Sequence, residues 1–271
     1  MTTAYAEVIG DPVTHSKSPL IHNHWLECLG INAEYRATTV RGGELAKFIA
    51  ERRSDPDWRG CNITLPHKET ALVHADLLSD ETRAIGAVNC IVPRGNLLVG
   101  YNSDVEGVAA ALDRLTLGGR KVVIIGGGGA ARAALSYLAR RDTGEIVVLV
   151  RDVERARPLK RMLPSGLLSV GSLSDPTTFM AGASLIINAS PLGMRGCASM
   201  PVDLISAVSA QDADLFDMVY DPITSDFLAA GNSQRIDGLS MLLGQAREAF
   251  ERFFGVPPPS VDVELRSALS G

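Results

Sequence analysis

The sequence predicts an α/β protein built from two lobes with mostly parallel sheets. Short runs of β-branched and apolar residues alternate along the chain with segments of helical pattern, which is typical of βαβ units. A second series of this alternation opens at a glycine-rich turn near residue 126. The length of 271 residues allows two modest lobes that each bury a core.

The first lobe is predicted to begin with three strand–helix pairs. "YAEVIG" precedes "SPLIHNHWLECLG", "AEYRATTV" precedes "GGELAKFIAERR", and "GCNITL" precedes "HKETALVHADLL". The strand-like run "NLLVGYN" then leads into "DVEGVAAALDRL", a predicted helix with Asp104 at its beginning. We place the junction between the lobes near residue 104.

Four apolar runs of the buried-strand type define the second lobe. They are the start of "RKVVIIGGGGAARAALSYLARR", then "EIVVLVRD", "SLIINAS" and "LFDMVY". The C-terminal segment "IDGLSMLLGQAREAFERFFG" is predicted to be helical. Its pattern alone fits either lobe.

Composition and charge limit the function. The net charge of -5 offers no basic surface, so we expect no nucleic-acid partner. No apolar stretch approaches the roughly 20 residues that cross a bilayer, and the N-terminus does not resemble a secretory leader. The four cysteines are scattered without a CxxC pair, which is typical of reduced thiols. Together these features predict a cytoplasmic protein without a membrane partner.

The segment "VVIIGGGGAARAAL" predicts a dinucleotide site. It fits G-x-G-x-x-A between an apolar strand and a helix, the setting that this fingerprint requires. Residues without side chains let the backbone approach a pyrophosphate at the helix N-terminus. The alternative is a glycine turn without a ligand. The turn comprises Gly126, Gly127, Gly128, Gly129, Ala130 and Ala131.

The end of the next predicted strand indicates which dinucleotide is bound. An acidic residue there binds the ribose hydroxyls of NAD, whereas arginine accommodates the 2'-phosphate of NADP. This chain has Arg151, Asp152 and, one turn later, Arg155. Two guanidinium groups favour phosphate and hence NADP. The alternative is a solvated helix start that Asp152 caps.

Polar residues follow the predicted strand in "GCNITLPHKET". Asn62 and Thr64 lie two apart, so they point to the same side of the strand, at the sheet edge where α/β proteins bind ligands. Lys68 is placed in a first helical turn, where a cation opposes the helix dipole. Such conflicts are expected at functional sites, although a solvent-facing lysine is the alternative.

Two further polar residues stand beside apolar runs. Asn89, in "AIGAVNCIV", needs a partner because a buried amide is costly without one. Asp104 follows "NLLVGYN" and is either a helix N-cap or a carboxylate facing the seam between lobes.

The segment "HSKSPLIHNHW" raises the question of a metal site. His22 and His24 are two apart, on different faces of a helix, and no carboxylate in the segment completes a ligand set. We therefore expect no metal. Ser18 followed by Pro19 fits an N-cap and a first helical residue, and such a helix start attracts anions.

These motifs resemble the shikimate dehydrogenase family. The ordered set is "SKSP", "NITLPHK", "AIGAVN", "YNSDVEG", "GGGGAAR", "NASPLGM", "DMVYDP" and "DGLSMLLGQA", from Ser16 to Gln245. The resemblance implies a substrate lobe of residues 1–104 plus 237–271 and a Rossmann-type doubly wound nucleotide lobe of residues 105–236. It also implies reversible hydride transfer between NADPH and 3-dehydroshikimate, giving shikimate, with Lys68 and Asp104 as the catalytic pair.

Further site residues follow from the same resemblance. The expected substrate contacts are Ser16 and Ser18 at the carboxylate, with Asn62, Thr64, Asn89, Tyr220 and Gln245 around the ring. The expected cofactor contacts outside the glycine turn and the two arginines are Asn188, Ser190, Met194, Met218 and Gly238. The alternatives are core packing for Met218 and Tyr220, a plain strand-end turn for "NASPLGM" and a surface amide for Gln245.

The chain departs from the family pattern at three places. Val150, Arg151 and Asp152 replace Asn-Arg-Thr, which leaves NAD or dual cofactor use open. Cys90 and Ser103 each replace a threonine next to residues implied in substrate binding. A quinate/shikimate dehydrogenase or a related paralogue is therefore an alternative, and a nucleotide-binding regulatory domain is a second one. The sequence fits a monomer or a homodimer.

Overall fold

Two six-stranded sheets organise the chain, which a computed structural model describes from residue 3 to residue 270. The strands are β1 (Ala4–Gly10), β2 (Ala33–Thr39), β3 (Trp58–Ile63), β4 (Leu77–Leu78), β5 (Cys90–Arg94), β6 (Leu97–Tyr101), β7 (Val122–Ile125), β8 (Ile146–Val150), β9 (Leu168–Ser172), β10 (Leu185–Asn188), β11 (Asp214–Asp217) and β12 (Arg235–Ile236). The helices are α1 (Ser18–Cys28), α2 (Leu45–Arg53), α3 (Asp80–Ile85), α4 (Asp104–Leu112), α5 (Gly129–Leu138), α6 (Val153–Ala156), α7 (Pro176–Met180), α8 (Val202–Ser209), α9 (Asp226–Ala229), α10 (Gly238–Phe254) and α11 (Val263–Ser270).

The first sheet belongs to a unit formed by residues up to Glu106 and from Leu243 onward. Its strand order is β2-β1-β3-β5-β6-β4. Strand β1 pairs in parallel with β2 and β3, whereas β5 is antiparallel to both β3 and β6. The β5–β6 hairpin turns at Gly95, whose φ of 60° suits a residue without a side chain. This sheet is therefore mixed, with three parallel and two antiparallel pairings.

The second sheet belongs to the unit Gly107–Leu242 and is wholly parallel. Its order, β12-β11-β10-β7-β8-β9, is that of doubly wound dinucleotide-binding folds, whose two halves meet between β7 and β10. Every residue of β7, β8 and β10 is buried, as expected for strands covered on both faces. The predicted Rossmann-type lobe is confirmed.

The sequence pattern did not decide which lobe contains the C-terminal helices. Ala249 and Phe253 of α10 pack on Ala6, Val8 and Val92 of the first sheet. The residues from Leu243 onward therefore belong to the first unit. The predicted domain bounds, 1–104 with 237–271 for the substrate-binding domain and 105–236 for the dinucleotide-binding domain, remain predictions.

One predicted helix is wrong. Within "HKETALVHADLL" only Thr70–His74 forms a short 3-10 helix, and β4 follows. Asp76 accepts from the Leu98 amide at 2.7 Å through its side chain and donates its own amide to the Leu98 carbonyl at 2.8 Å. These bonds attach the segment to β6, so sheet pairing overrides the local helical pattern. Among residues 3–270 no helix combines the length and apolarity that a membrane span requires.

Candidate functional site

Lys68 and Asp104 form an ion pair in the first unit. The distance from Lys68 Nζ to Asp104 Oδ2 is 2.6 Å. Lys68 lies in the turn after β3, and Asp104 is the first residue of α4. Because the predicted helix is absent, Lys68 does not lie in the first turn of a helix, and its charge is paired with that of Asp104. The lysine side chain is 19% exposed and the aspartate 6%, so the ammonium is the more accessible group.

The surroundings of Asp104 hold its carboxylate in one orientation. Its Oδ1 accepts from Asn89 Nδ2 at 2.8 Å, while its backbone amide donates to Asn102 Oδ1 at 3.0 Å. Asn102 in turn donates to the Ala87 carbonyl at 2.9 Å. Asn102 therefore provides the capping bond at the start of α4, which frees the Asp104 side chain for Lys68. Asn102 was not among the predicted site residues, although asparagine commonly accepts a hydrogen bond from the backbone two residues further on.

Asn89 is the centre of this buried network. Its Nδ2 also donates to Ser103 Oγ at 3.1 Å, and its Oδ1 accepts from the Ser103 amide at 2.7 Å. Its backbone carbonyl accepts from Asn62 Nδ2 at 3.3 Å. Both side-chain N–H groups of Asn89 are thus directed at Asp104 and Ser103, which satisfies the need for partners that burial imposes.

The end of β3 carries the next predicted residues. Asn62 is buried, and its Oδ1 accepts from the Tyr35 hydroxyl at 2.6 Å. Thr64 is half-buried just beyond β3, and its amide donates to the Ile9 carbonyl at 2.9 Å. Tyr35 was not predicted, because alternation within β2 shows only that it faces the core and not which side chain it contacts.

The two predicted anion-binding serines stand at the start of α1. The helix begins at Ser18, with Lys17 in helical conformation at the N-cap, so the prediction of Ser18 as N-cap is wrong by one residue. Instead, Ser16 Oγ accepts from the Ser18 amide at 3.2 Å. Ser18 is buried and Ser16 half-buried. Gln245 is half-buried on α10, in the part of that helix that belongs to the first unit.

The glycine-rich turn in the second unit joins β7 to α5. Gly126 has a φ of 108°, and a Cβ there would lie 2.9 Å from the Ala189 carbonyl oxygen after β10. A Cβ on Gly127 would lie 3.0 Å from the Val150 side chain. Gly128 faces open space at the N-cap of α5, which has no side-chain capping bond. The turn therefore exposes backbone amides where a pyrophosphate could bind.

The predicted ribose-binding residues follow β8. Asp152 is the N-cap of α6, and its Oδ1 accepts from the Arg155 amide at 3.0 Å. Arg151 and Arg155 are exposed, and neither forms an ion pair with any residue between 3 and 270. The capping role considered for Asp152 is thus present. The two guanidinium groups remain available to a ligand.

Asn188 and Ser190 shape the loop after β10. Asn188 is fully buried, donates to Asp217 Oδ1 at 2.9 Å and accepts from Ser190 Oγ at 2.7 Å. Asp217 also accepts from Ser225 Oγ and from the Val219 amide, and burial raises the pKa of its carboxyl. Asp217 was not predicted, although an acid that ends the apolar strand "LFD" is a recognisable signal.

Gly238 fits closely against the end of β11. A Cβ there would lie 2.6 Å from the Val219 carbonyl oxygen and 2.8 Å from that of Met218. Met194, Met218 and Tyr220 are half-buried in this second unit. Tyr220 therefore lies in a different unit from the other predicted substrate residues, which are Ser16, Ser18, Asn62, Thr64, Asn89 and Gln245.

Two of the departures from the family pattern are buried. Cys90 packs with Tyr35 and Phe253, and burial raises the pKa of its thiol to about 12. Ser103 is 1% exposed and keeps the hydroxyl contact to Asn89. Any effect of these two replacements must therefore act through the packing of Asn89 and its neighbours.

A doubly wound unit with a glycine turn, combined with a lysine–carboxylate pair, defines a nicotinamide-dependent type of oxidoreductase. Three family models match this chain. Residues 8–91 match the shikimate dehydrogenase substrate binding domain, residues 109–192 match shikimate/quinate 5-dehydrogenase, and residues 238–264 match the shikimate 5'-dehydrogenase C-terminal domain. The chain belongs to the shikimate dehydrogenase family.

Relatives resemble the chain over nearly its full length. The shikimate dehydrogenase (NADP(+)) of Sphingopyxis alaskensis is 44% identical, covering 98% of this chain and 96% of its own. The shikimate 5-dehydrogenase of Thermus thermophilus, solved with NADP(H) and shikimate, has a TM-score of 0.81 at 30% identity and covers 98% of both chains. The Listeria monocytogenes enzyme, solved with shikimate and NAD, has a TM-score of 0.84 at 26% identity, covering 98% of this chain and 96% of its own.

Proposed function

We propose that this protein is a shikimate dehydrogenase that reversibly reduces 3-dehydroshikimate to shikimate with NADPH. The observation that carries the proposal is the 2.6 Å pair of Lys68 and Asp104, within the unit that matches the family's substrate-binding domain. A positioned proton donor is needed by a carbonyl reductase and has no purpose in a nucleotide-binding regulatory domain. The pair therefore favours an enzyme over a binding module.

The second unit fits a nicotinamide dinucleotide. The bare turn from Gly126 to Gly128 and the uncapped start of α5 suit a pyrophosphate. Arg151 and Arg155 suit the 2'-phosphate of NADP, because Asp152 already accepts the amide that it caps. The predicted contacts of Asn188, Ser190, Met194, Met218 and Gly238 belong to the same proposal. When bound, the cofactor supplies the hydride.

Lys68 is the proposed proton donor. Reduction of the substrate carbonyl leaves negative charge on its oxygen, and the Lys68 ammonium both stabilises that charge and supplies the proton. Asp104 fixes the ammonium through Oδ2 and is itself fixed through Oδ1 by Asn89. Proton transfer by a positioned side chain is typically worth 10²–10⁴-fold in rate.

The substrate groups are assigned by chemistry. Ser16, Ser18 and the first turn of α1 offer hydroxyl and amide donors to a carboxylate. Thr64 and Gln245, together with the free N–H of Asn62, can bind ring hydroxyls. The geometry favours Asn89 as the residue that positions Asp104, while its direct substrate contact and that of Tyr220 remain predictions.

A four-way assay tests the proposal. Purified protein is mixed with shikimate or quinate and with NADP or NAD, and nicotinamide absorbance is followed. We expect the fastest turnover with shikimate and NADP. Absence of turnover in all four mixtures would contradict the enzyme proposal and favour the binding module.

The same assay distinguishes the remaining alternative. Faster turnover with NAD would show that Asp152, rather than the two arginines, decides cofactor choice; the related Listeria enzyme was solved with NAD. Faster turnover with quinate would assign the chain to the quinate/shikimate branch. The cytoplasmic location and the choice between monomer and homodimer also remain predictions, and sedimentation of the purified chain would decide the latter.

A further inference from the structure

A histidine, a cysteine and an aspartate meet on the first unit, outside the proposed active site. His24 and Cys28 lie four residues apart on one face of α1, and Cys28 Sγ is 3.6 Å from His24 Nε2. Asp262 Oδ2 is 2.9 Å from the same nitrogen. The three ligand atoms all lie within 4.8 Å of one another.

The sequence could not show this cluster, because Asp262 lies 238 positions from His24. His22, the neighbouring histidine of the same segment, is not part of this cluster. It is buried, stacked on the Tyr35 ring with centroids 4.0 Å apart, and faces away from solvent. The relevant spacing is instead His24 to Cys28.

We propose that His24, Cys28 and Asp262 form a site for a borderline divalent cation such as Zn²⁺, with water as the fourth ligand. Zinc binds nitrogen at about 2.0–2.1 Å, thiolate at about 2.3 Å and carboxylate at about 2.0–2.2 Å, so tetrahedral ligand atoms stand roughly 3.3–3.7 Å apart. The observed distance of 3.6 Å between Cys28 Sγ and His24 Nε2 already suits this geometry. The 2.9 Å distance between His24 Nε2 and Asp262 Oδ2 must increase by less than about 1 Å.

The carboxylate is held ready for this role. Asp262 Oδ1 accepts from the Leu265 amide at 2.8 Å at the start of α11, which directs Oδ2 towards His24. The His24 side chain is 17% exposed and that of Asp262 is 47% exposed, so an ion and its water can enter. A hydrogen bond that orients a metal ligand, such as the one from the Leu265 amide to Asp262, is typical of metal-binding sites.

The donor set selects the metal. A thiolate, an imidazole and one carboxylate suit Zn²⁺ or Co²⁺, whereas Mg²⁺ and Ca²⁺ require oxygen ligands. Because a cysteine binds metal as the thiolate, binding of the ion releases a proton, and the affinity for the ion increases with pH. The bound ion connects α1 to α11, which also meet where Lys17 Nζ donates to the Leu269 carbonyl at 2.5 Å. The site is therefore proposed to stabilise the docking of α11.

Titration of the full metal-free chain with Co²⁺ tests the proposal, because cobalt reports thiolate ligation by a charge-transfer band in the near ultraviolet. We expect one equivalent to bind, with displacement by Zn²⁺ and a rise in melting temperature of roughly 5 °C at saturation. Cys28→Ser should abolish the band. Cys197→Ser removes the other exposed cysteine and should leave the band unchanged.

Asp262→Asn is the sharpest variant. Its retained Oδ1 can still accept the Leu265 amide, so α11 keeps its cap while the anionic ligand is lost, and we expect cobalt affinity to fall at least 10-fold. Equal binding by wild type, Asp262→Asn and His24→Gln, or loss of the band in Cys197→Ser, would overturn the proposal. Shikimate turnover serves as a fold control and should stay unchanged in every variant.

Discussion

The two candidate sites, one in each unit, are built in opposite ways. In the first unit, Asp104 and Asn89 are buried, and hydrogen bonds to neighbours fix their polar atoms. In the second unit, the predicted nucleotide site consists of a turn without side chains at Gly126 and Gly128 and of the exposed guanidinium groups of Arg151 and Arg155. A group that moves a proton must be held in place, because a small displacement is costly in rate. A phosphate needs only accessible amides and positive charge.

The largest effect is expected from Lys68→Ala. Turnover should fall about 10²–10⁴-fold because the proton donor is lost, while the dissociation constant for NADPH, measured by fluorescence, should not change. Lys47→Ala, at a lysine that is 82% exposed on α2 of the same unit, is the matched control and should behave as wild type. Near-normal turnover in Lys68→Ala would remove this residue from the chemistry and end the contrast between the two candidate sites.

Asn89→Ala tests whether the buried network positions Asp104. The change leaves Asp104 Oδ1 and the Ser103 amide without Asn89, and each unsatisfied buried group costs about 1–3 kcal/mol of stability. We expect kcat to fall about 10-fold or more, with a smaller change in the KM for shikimate. A change in KM alone would instead assign Asn89 to substrate binding.

The control for this variant is Asn96→Ala, at an exposed asparagine in the β5–β6 turn. Its urea-unfolding midpoint and its kcat should match those of the wild type. Equal loss of stability in both variants would show that the network contributes nothing specific.

The contrast also explains what the sequence could predict. The strand, glycine turn and helix around Gly126 were predictable, because every signal lies within about twenty residues and follows backbone rules. Asp104 at a helix start was predictable for the same reason. The hydrogen bond of its backbone amide was not predictable, because the side chain of either Asn102 or Ser103 could have accepted it. Only the fold shows that Asn102 does so.

The failures share one physical cause, which is competition from distant parts of the chain. The helical pattern after Lys68 was overridden by the pairing of Asp76 with Leu98. The roles of Tyr35, Asp217 and Asp262 depend on partners that only folding brings near, such as Asn62, Asn188 and His24. The family resemblance supplied Gln245 and Gly238, which local patterns do not distinguish from ordinary helix residues.

Arg151→Ala and Arg155→Ala test whether the exposed guanidinium groups of the second unit bind the cofactor. Removal of one charge-assisted bond to a phosphate should raise the KM for NADPH about 10-fold and leave that for NADH unchanged. Arg157→Ala is the matched control, because this guanidinium is 2.6 Å from the Glu154 carboxylate. Equal increases for both cofactors would show that the arginines do not bind the 2'-phosphate.

The smallest effect concerns the buried network of the second unit, around Asp217. Burial raises the pKa of this carboxyl above 3.8, so the folded protein keeps a proton that the unfolded chain has already lost. The stabilisation is complete below about pH 4 and disappears as the pH rises through the folded pKa. Asp217→Asn lacks this titration, so its free energy of unfolding relative to wild type should increase across that window, by at most about 1.4 kcal/mol per pH unit.

Urea unfolding from pH 4 upward measures this difference, with Asp226→Asn, at an exposed aspartate on α9, as control. A parallel pH dependence of wild type and Asp217→Asn would mean that Asp217 stays ionised in the folded state. Asn188 would then be held by a buried carboxylate, as Lys68 is in the first unit. The two candidate sites would in that case differ in the exposure of their predicted ligand-binding groups, and each would contain a buried carboxylate.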